Sequence, residues 1–279
     1  MKKIMTVFGT RPEAVKMAPL IQALKHDDAL EPIVVVTAQH REMLDSVLTS
    51  FHITPDYDLD IMKQGQSLSE ITSRILSRLE DVIKKEQPDM ILVHGDTMTT
   101  FAGSLAALYN QIPIGHVEAG LRTWDKYAPF PEEMNRQMVG VMADLNFAPT
   151  NNAAHNLLAE NKPEESIVVT GNTAIDAMKT TIHDHYHSEI IAKHKDKRII
   201  LLTAHRRENI GEPMVHIFKA VRDIVEAFED VVVVYPVHKN PKVREIAETY
   251  LSNHERIELV EPLEVVDFHN FAHQSYLIL

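Results

Sequence analysis

Short runs of β-branched and apolar residues recur along this chain, each followed by a longer stretch with helical spacing. In the first half, residues 4–8, 33–37, 90–94, 114–117 and 167–170 read as strands. They are apolar throughout and do not alternate apolar with polar. A strand of that kind is covered on both faces, as in a parallel sheet. Parallel neighbours need a crossover, and the intervening segments supply it. In 69–86 the residues Ile71, Ile75, Leu79, Val82 and Ile83 fall on one helical face. The start of that helix, Ser67-Leu68-Ser69-Glu70, matches a capping box. Strands and helices alternating at this length specify a doubly wound α/β domain.

The pattern changes character over 178–198, where the chain is polar and charged, and then resumes. Residues 199–203, 231–235 and 257–260 read as strands, and 214–228 and 242–251 as helices. A chain of 279 residues fits two domains at roughly 100–200 residues each. We expect an N-terminal Rossmann-like domain over 1–177, then a hinge and a partial C-terminal Rossmann-like domain over 178–279. The last residues, Tyr276-Leu277-Ile278-Leu279, read as one more strand. In a parallel α/β sheet the loop after a strand carries function, so the pattern leads us to expect a chain cut short there, its second domain incomplete.

Composition narrows the function. The net charge is −12, and a nucleic-acid binder shows a basic face. Basic residues sit instead in short clusters such as Arg206-Arg207, which suits a small phosphorylated ligand. There is no cysteine, which excludes disulfides, thiolate metal sites and a cysteine nucleophile. The apolar run after Met1-Lys2-Lys3 is too short for a signal-peptide core. No apolar stretch reaches the ~18 residues of a membrane span, so a cytoplasmic protein is expected, with no membrane partner. His183, His185, His187 and His194 crowd the polar segment. No carboxylate–histidine set recurs at fixed spacing, so they read as a solvated surface and not as a metal site.

Strand ends collect the reactive side chains. After the first strand comes Gly9-Thr10-Arg11-Pro12-Glu13, with Lys16 one turn on. Gly9 permits a close backbone approach, and Thr10 with Glu13 forms a second capping box. A helix N-terminus attracts anions, and Arg11 and Lys16 add positive charge. An ordinary capped helix with two surface cations fits those residues equally well. The run is not a Gly-x-Gly-x-x-Gly pattern, so it indicates no nicotinamide cofactor. Later strands end in His94-Gly95-Asp96-Thr97 and His116-Val117-Glu118, with Pro131-Glu132-Glu133-Met134-Asn135-Arg136 beyond. Asp96 and Glu118, at neighbouring strand ends, should face one crevice, with Glu132 on the next loop. Carboxylates gathered in a partly dry cleft can provide one acid and one base. Alternatively some of them cap helices or pair with Arg122 and Arg136. In the second half, His205 follows one strand and His238-Lys239 the next. Met134, Met138 and Met142, at helical spacing, read as core.

Taken in order, these motifs resemble a known family. Phe8-Gly9-Thr10-Arg11-Pro12-Glu13-Ala14, Thr37-Ala38-Gln39-His40-Arg41-Glu42-Met43, His94-Gly95-Asp96-Thr97, His116 to Thr123, Pro131 to Arg136, Thr170-Gly171-Asn172-Thr173 and His205-Arg206-Arg207-Glu208 together resemble the bacterial non-hydrolysing UDP-N-acetylglucosamine 2-epimerases. The resemblance spans the whole chain. It implies two Rossmann-like domains of the glycosyltransferase-B type and reversible conversion of UDP-N-acetylglucosamine to UDP-N-acetylmannosamine. The product would supply N-acetylmannosamine for cell-surface polysaccharide or teichoic acid. It also implies a homodimer with no metal or redox cofactor.

Carried over by motif, Arg11, Lys16, Asp96, Glu118, His205 and Phe268 line the substrate site, with Phe268 at the uridine. Asp96, Glu118 and Glu132 are acid/base candidates, and His205 joins them as a catalytic candidate that stabilises the leaving group or moves a proton. Some members bind a second UDP-N-acetylglucosamine as activator, and Gln39, Glu42, Glu132, Arg206 and His238 fall at those positions. Glu42 is often glutamine in that motif, and Gly65 stands where some members carry arginine. After a strand like 276–279 the family continues with Asp-Ser-Gly-Gly-x-Gln-Glu-Glu, the start of a pyrophosphate-binding helix. Little turnover is therefore expected of this chain alone. The chemistry expected is elimination of UDP to a glycal and re-addition. A two-domain glycosyltransferase and a non-catalytic nucleotide-sugar-binding protein are the competing readings.

Overall fold

The computed structural model describes residues 1–37, 41–63, 65–206 and 209–279, and for 41–43 the backbone alone. It divides into two compact units, Met1–Thr180 and Thr181–Leu279.

The first unit alternates strands and helices from its start: β1 Lys2–Phe8, α1 Arg11–Lys25, β2 Leu30–Val36, α2 Arg41–Ser50 and the short β3 Tyr57–Asp58. Then come α3 Leu68–Glu86, β4 Met90–His94, α4 Met98–Tyr109 and β5 Ile114–Val117. The unit closes with α5 Glu132–Met142, β6 Leu145–Ala148, α6 Asn151–Ala159, β7 Ile167–Val169 and α7 Thr173–Thr181. Its seven strands are all parallel, in the order β3-β2-β1-β4-β5-β6-β7.

The apolar runs are buried as their pattern requires. Met5, Val7, Val35, Ile91 and Val93 are fully sequestered, and the helical face Ile71, Ile75, Leu79, Val82, Ile83 covers them. Ser67 caps α3 with Glu70 reaching back, as the sequence indicates. Chain order reverses between β1 and β4, which lie side by side. In open α/β sheets ligands bind outside the carboxyl ends of the strands at such a switch point. The turns there are 9–13 and 95–97.

Two strands escape the sequence pattern. β3 is only two residues long, and β6 reads Leu-Asn-Phe-Ala, with a buried Asn146 where an apolar residue would signal a strand. β7 is apolar yet Val168 and Val169 are about half exposed, because it is the edge strand. Of the three methionines expected in the core, Met142 packs there. Met134 and Met138 instead line an open apolar groove with Leu76 and Phe101.

The second unit contains α8 Glu189–Lys193, β8 Arg198–Leu201, α9 Glu212–Ala227, β9 Val231–Pro236 and α10 Pro241–Leu251. It continues with β10 Ile257–Val260, α11 Val265–Gln274 and β11 Leu277–Ile278. Its four strands are parallel in the order β10-β9-β8-β11. Leu202, Met214, Phe218, Val233 and Tyr235 form its core. Tyr235, buried, donates its hydroxyl proton to the Ala204 carbonyl at 2.6 Å, which anchors the turn carrying His205. Among the described residues, no helix is long and apolar enough to cross a membrane.

Gly9 shows how tightly the first unit's switch point is closed. A Cβ placed there would lie 2.0 Å from Thr37 Oγ1 and 2.6 Å from Thr99 Oγ1. Those two hydroxyls hydrogen-bond each other at 2.9 Å. Gly9→Ala should destabilise the first unit by about 1–3 kcal/mol, the usual cost of overpacking. A lower urea midpoint on that scale is the expected reading.

Candidate active site

The first turn of α1 begins the site. Thr10 caps the helix and accepts from the Glu13 amide at 3.4 Å. Glu13 Oε2 accepts from the amides of Gly9 (3.0 Å) and Thr10 (2.8 Å). Its other oxygen accepts from the Thr97 hydroxyl at 2.7 Å and the Thr100 hydroxyl at 3.3 Å. One buried carboxylate thus fastens the turn after β1 to the turn after β4. Arg11, the first residue of α1, is left exposed. Lys16 reaches across to Glu118 Oε2 at 2.5 Å.

Glu118 follows β5 with φ +62°, a left-handed conformation that a non-glycine residue adopts at a cost. Besides Lys16 its Oε2 accepts from Asn172 Nδ2 at 3.1 Å, and the buried His94 ring lies 3.7 Å away. Burial would raise this carboxyl, but the His94 imidazole and the Lys16 ammonium outweigh it and bring it down to about 2. Glu118 is therefore held ionised.

Asp96 sits on the neighbouring turn and is treated differently. Asn135 Nδ2 donates to its carbonyl at 2.8 Å, and Arg136 Nη1 lies 3.0 Å from its Oδ2. Burial raises its pKa; Arg136 opposes the rise, while the charges of Glu132, Glu118 and Glu13 add to it. Beneath that turn His116 Nε2 donates to the Gly95 carbonyl at 2.7 Å. Complete burial pushes the His116 pKa down to about 4, so the ring is neutral at pH 7.

Glu132 opens α5 and is half-buried. Its neighbour Glu133, with none of its surface exposed, carries more of the local structure. Glu133 accepts from the amides of Thr123 (3.0 Å) and Trp124 (3.1 Å), from Gln137 Nε2 (2.9 Å) and from Arg136 Nη2 (2.8 Å). Burial would raise its carboxyl, yet these donors bring it to about 2. Asp96, Glu118 and Glu132 are thus brought together as the sequence suggested, and Arg136 pairs with one of them. Arg122 instead closes a bidentate pair with Glu160 at 2.6 and 2.8 Å and is buried away from them.

A family model described as UDP-N-acetylglucosamine 2-epimerase matches residues 22–279. A UDP-N-acetylglucosamine 2-epimerase of Bacillus subtilis is 62% identical over 277 residues, 99% of this chain and 73% of that protein. This chain belongs to the UDP-N-acetylglucosamine 2-epimerase family.

Two solved structures of the epimerase family agree. S. aureus MnaA in its UDP co-structure is 69% identical with a TM-score of 0.88, over 100% of this chain and 74% of that one. The UDP-GlcNAc 2-epimerase of Neisseria meningitidis, solved bound to UDP-GlcNAc, is 45% identical with a TM-score of 0.87, over 99% and 76%. The two parallel sheets are those of the glycosyltransferase-B-like epimerases.

Within the second unit, His205 and His238 are exposed at the ends of β8 and β9 and stack, ring centroids 5.6 Å apart and 10° from parallel. His238 Nδ1 accepts from the Asn240 amide at 3.1 Å. Arg206 is exposed beside His205. Phe268, on α11, is half-buried against a cluster that includes Leu201 and Phe271. Gln39 lies outside the described residues, as does the side chain of Glu42, whose backbone is in α2. Of the crowded histidines, His194 bonds Glu258 at 2.8 Å. Among the described residues, no three His, Cys, Asp or Glu side chains are grouped to hold a metal ion.

Glu133, His94, His116 and Asn172 stand inside the sequence motifs, which give a role to Glu132 but none to these four. Only Glu133 left a usable signal, its i,i+3 spacing to Arg136.

The pKa values of Glu118 and Glu133 both lie at about 2 in the folded chain, below their ordinary 4.5. A depressed carboxyl adds stability above its unfolded pKa and loses it as pH falls through the folded value. Stability should therefore fall between pH 4.5 and about 2. Glu133→Gln should be less stable than wild type at pH 7, and the gap should narrow by pH 3. Urea midpoints at the two pH values check this.

Proposed function

We propose that the protein interconverts UDP-N-acetylglucosamine and UDP-N-acetylmannosamine by inverting carbon 2 of the sugar. The observation that carries this is the unequal pair Glu118 and Asp96. One is held ionised by Lys16 and His94, and the other is pushed towards its protonated form by burial. Two carboxyls whose environments drive their pKa values apart divide into a base and an acid. The names of the relatives and the UDP-GlcNAc bound in the Neisseria structure support the substrate.

In this mechanism Glu118 takes the proton from C2. The C–H electron pair becomes the C1–C2 double bond of a glycal, and the C1–oxygen bond breaks with its pair leaving on UDP. The N-terminus of α1, with Arg11 and Lys16, stabilises the departing pyrophosphate. Asp96 then gives its proton to C2 on the opposite face, and the UDP oxygen rebonds to C1. We assign His205 to leaving-group charge, Phe268 to the uracil ring and Glu132 to the carboxylate set that raises Asp96. Gln39, Glu42, Glu132, Arg206 and His238 are the proposed contacts of a second UDP-N-acetylglucosamine acting as activator. A homodimeric enzyme supplying N-acetylmannosamine to cell-surface polymers completes the reading.

Proton NMR of the full-length protein in D₂O tests the division of labour. Wild type should place deuterium at C2 of both epimers. Asp96→Asn should lower kcat by about 10²–10⁴-fold, as expected when a proton donor is lost. It should still exchange C2 of UDP-N-acetylglucosamine, because Glu118 can return deuterium to the face it came from. Glu118→Gln should lose both exchange and inversion. A loss below tenfold in Asp96→Asn removes Asp96 from proton transfer, and binding without exchange in wild type makes the protein a nucleotide-sugar binder.

A further inference from the structure

We propose that Arg136 is a positioning residue for Asp96, and that Glu133 acts through it to couple the two strand-end loops that carry the reacting carboxylates. This rests on the reading of Asp96 as one of those carboxylates. Arg136 is buried, with 8% of its surface exposed, and its guanidinium spans two anions. Nη1 meets Asp96 Oδ2 at 3.0 Å and Nη2 meets Glu133 Oε2 at 2.8 Å. The preceding residue, Asn135, holds the Asp96 carbonyl. Adjacent residues of α5 therefore fix both the backbone and the carboxylate of Asp96. Glu133 in turn accepts from the amides of Thr123 and Trp124, a few residues beyond Glu118. A buried arginine fork makes two directional contacts at fixed separation, which a lysine point charge cannot.

The electrostatics follow from the same contacts. Among the described residues, these charged groups act on Asp96: Arg136 and Glu132 from α5, Glu118 from the loop after β5, and Glu13 from α1. Three are carboxylates and raise its pKa; Arg136 alone of the four lowers it. An opposite charge at this distance is worth about 1–3 pH units. Arg136 therefore sets how far Asp96 rises and where its proton points.

Carboxyl carbon-13 NMR of the full chain, with the Asp96 signal assigned by its loss in Asp96→Asn, reads the first effect directly. In Arg136→Gln the Asp96 midpoint should move upward by about one pH unit or more. The limb of the kcat–pH profile that Asp96 governs should move with it. Arg136→Lys keeps a positive charge but loses the fork. There the Asp96 midpoint should stay within about half a unit, while kcat falls about ten- to a hundredfold, the cost of misplacing a reacting group. KM should be little changed. An unchanged Asp96 midpoint in Arg136→Gln overturns the proposal, as does full kcat in Arg136→Lys. If Arg136→Gln does not fold, the lysine variant decides. If the full-length wild type shows no turnover, the epimerase reading fails, and the carbon-13 titration still decides whether Arg136 controls Asp96.

Discussion

The candidate site depends on carboxylates that have exchanged water for protein donors. Glu13 sits at the switch point with two backbone amides on one oxygen and two hydroxyls on the other. Glu133 sits beyond β5 with two amides, an amide side chain and a guanidinium. A buried carboxylate is costly unless paired and fully hydrogen-bonded, so each holds its donors in one arrangement. These two residues need not react with anything. They hold in register the turns after β1, β4 and β5, and those turns carry the groups proposed to react.

The same economy explains why neighbouring acids behave differently. Glu118 is twisted into a left-handed backbone conformation that aims it at Lys16, Asn172 and His94. Asp96 meets the Arg136 guanidinium, which it shares with Glu133, and feels the charges of Glu132, Glu118 and Glu13. Residue type does not distinguish them, since both are acids at the ends of adjacent parallel strands. The groups that surround each one do, and these arrive from α1, β4, α5 and the turn before α7.

That distinction also marks what a sequence can reveal. Fully apolar strands announced a parallel sheet, and Ser67 with Glu70 and Thr10 with Glu13 announced two helix starts, because these signals are local and periodic. Asp96 and Glu118 could be brought together by topology alone. β6 was hidden because Asn146 breaks its apolar run, and β7 looked interior because position at a sheet's edge is not written in a strand's own residues. Glu133 was hidden beside Glu132 for a similar reason. Which of two adjacent glutamates turns inward is set by the phase of α5 against the loop at 123–124. The pairing of Lys16 with Glu118 spans 102 positions of sequence, and no spacing rule reaches that far.

The most direct test of the account is a crystal structure of the protein with UDP-N-acetylglucosamine bound. The sugar's C2 should lie within about 3.5 Å of the Glu118 carboxylate on one face, the distance of a near-attack geometry, with the Asp96 carboxyl on the other and the pyrophosphate at the N-terminus of α1. A bound sugar whose C2 faces neither carboxyl, or faces both from the same side, would contradict it.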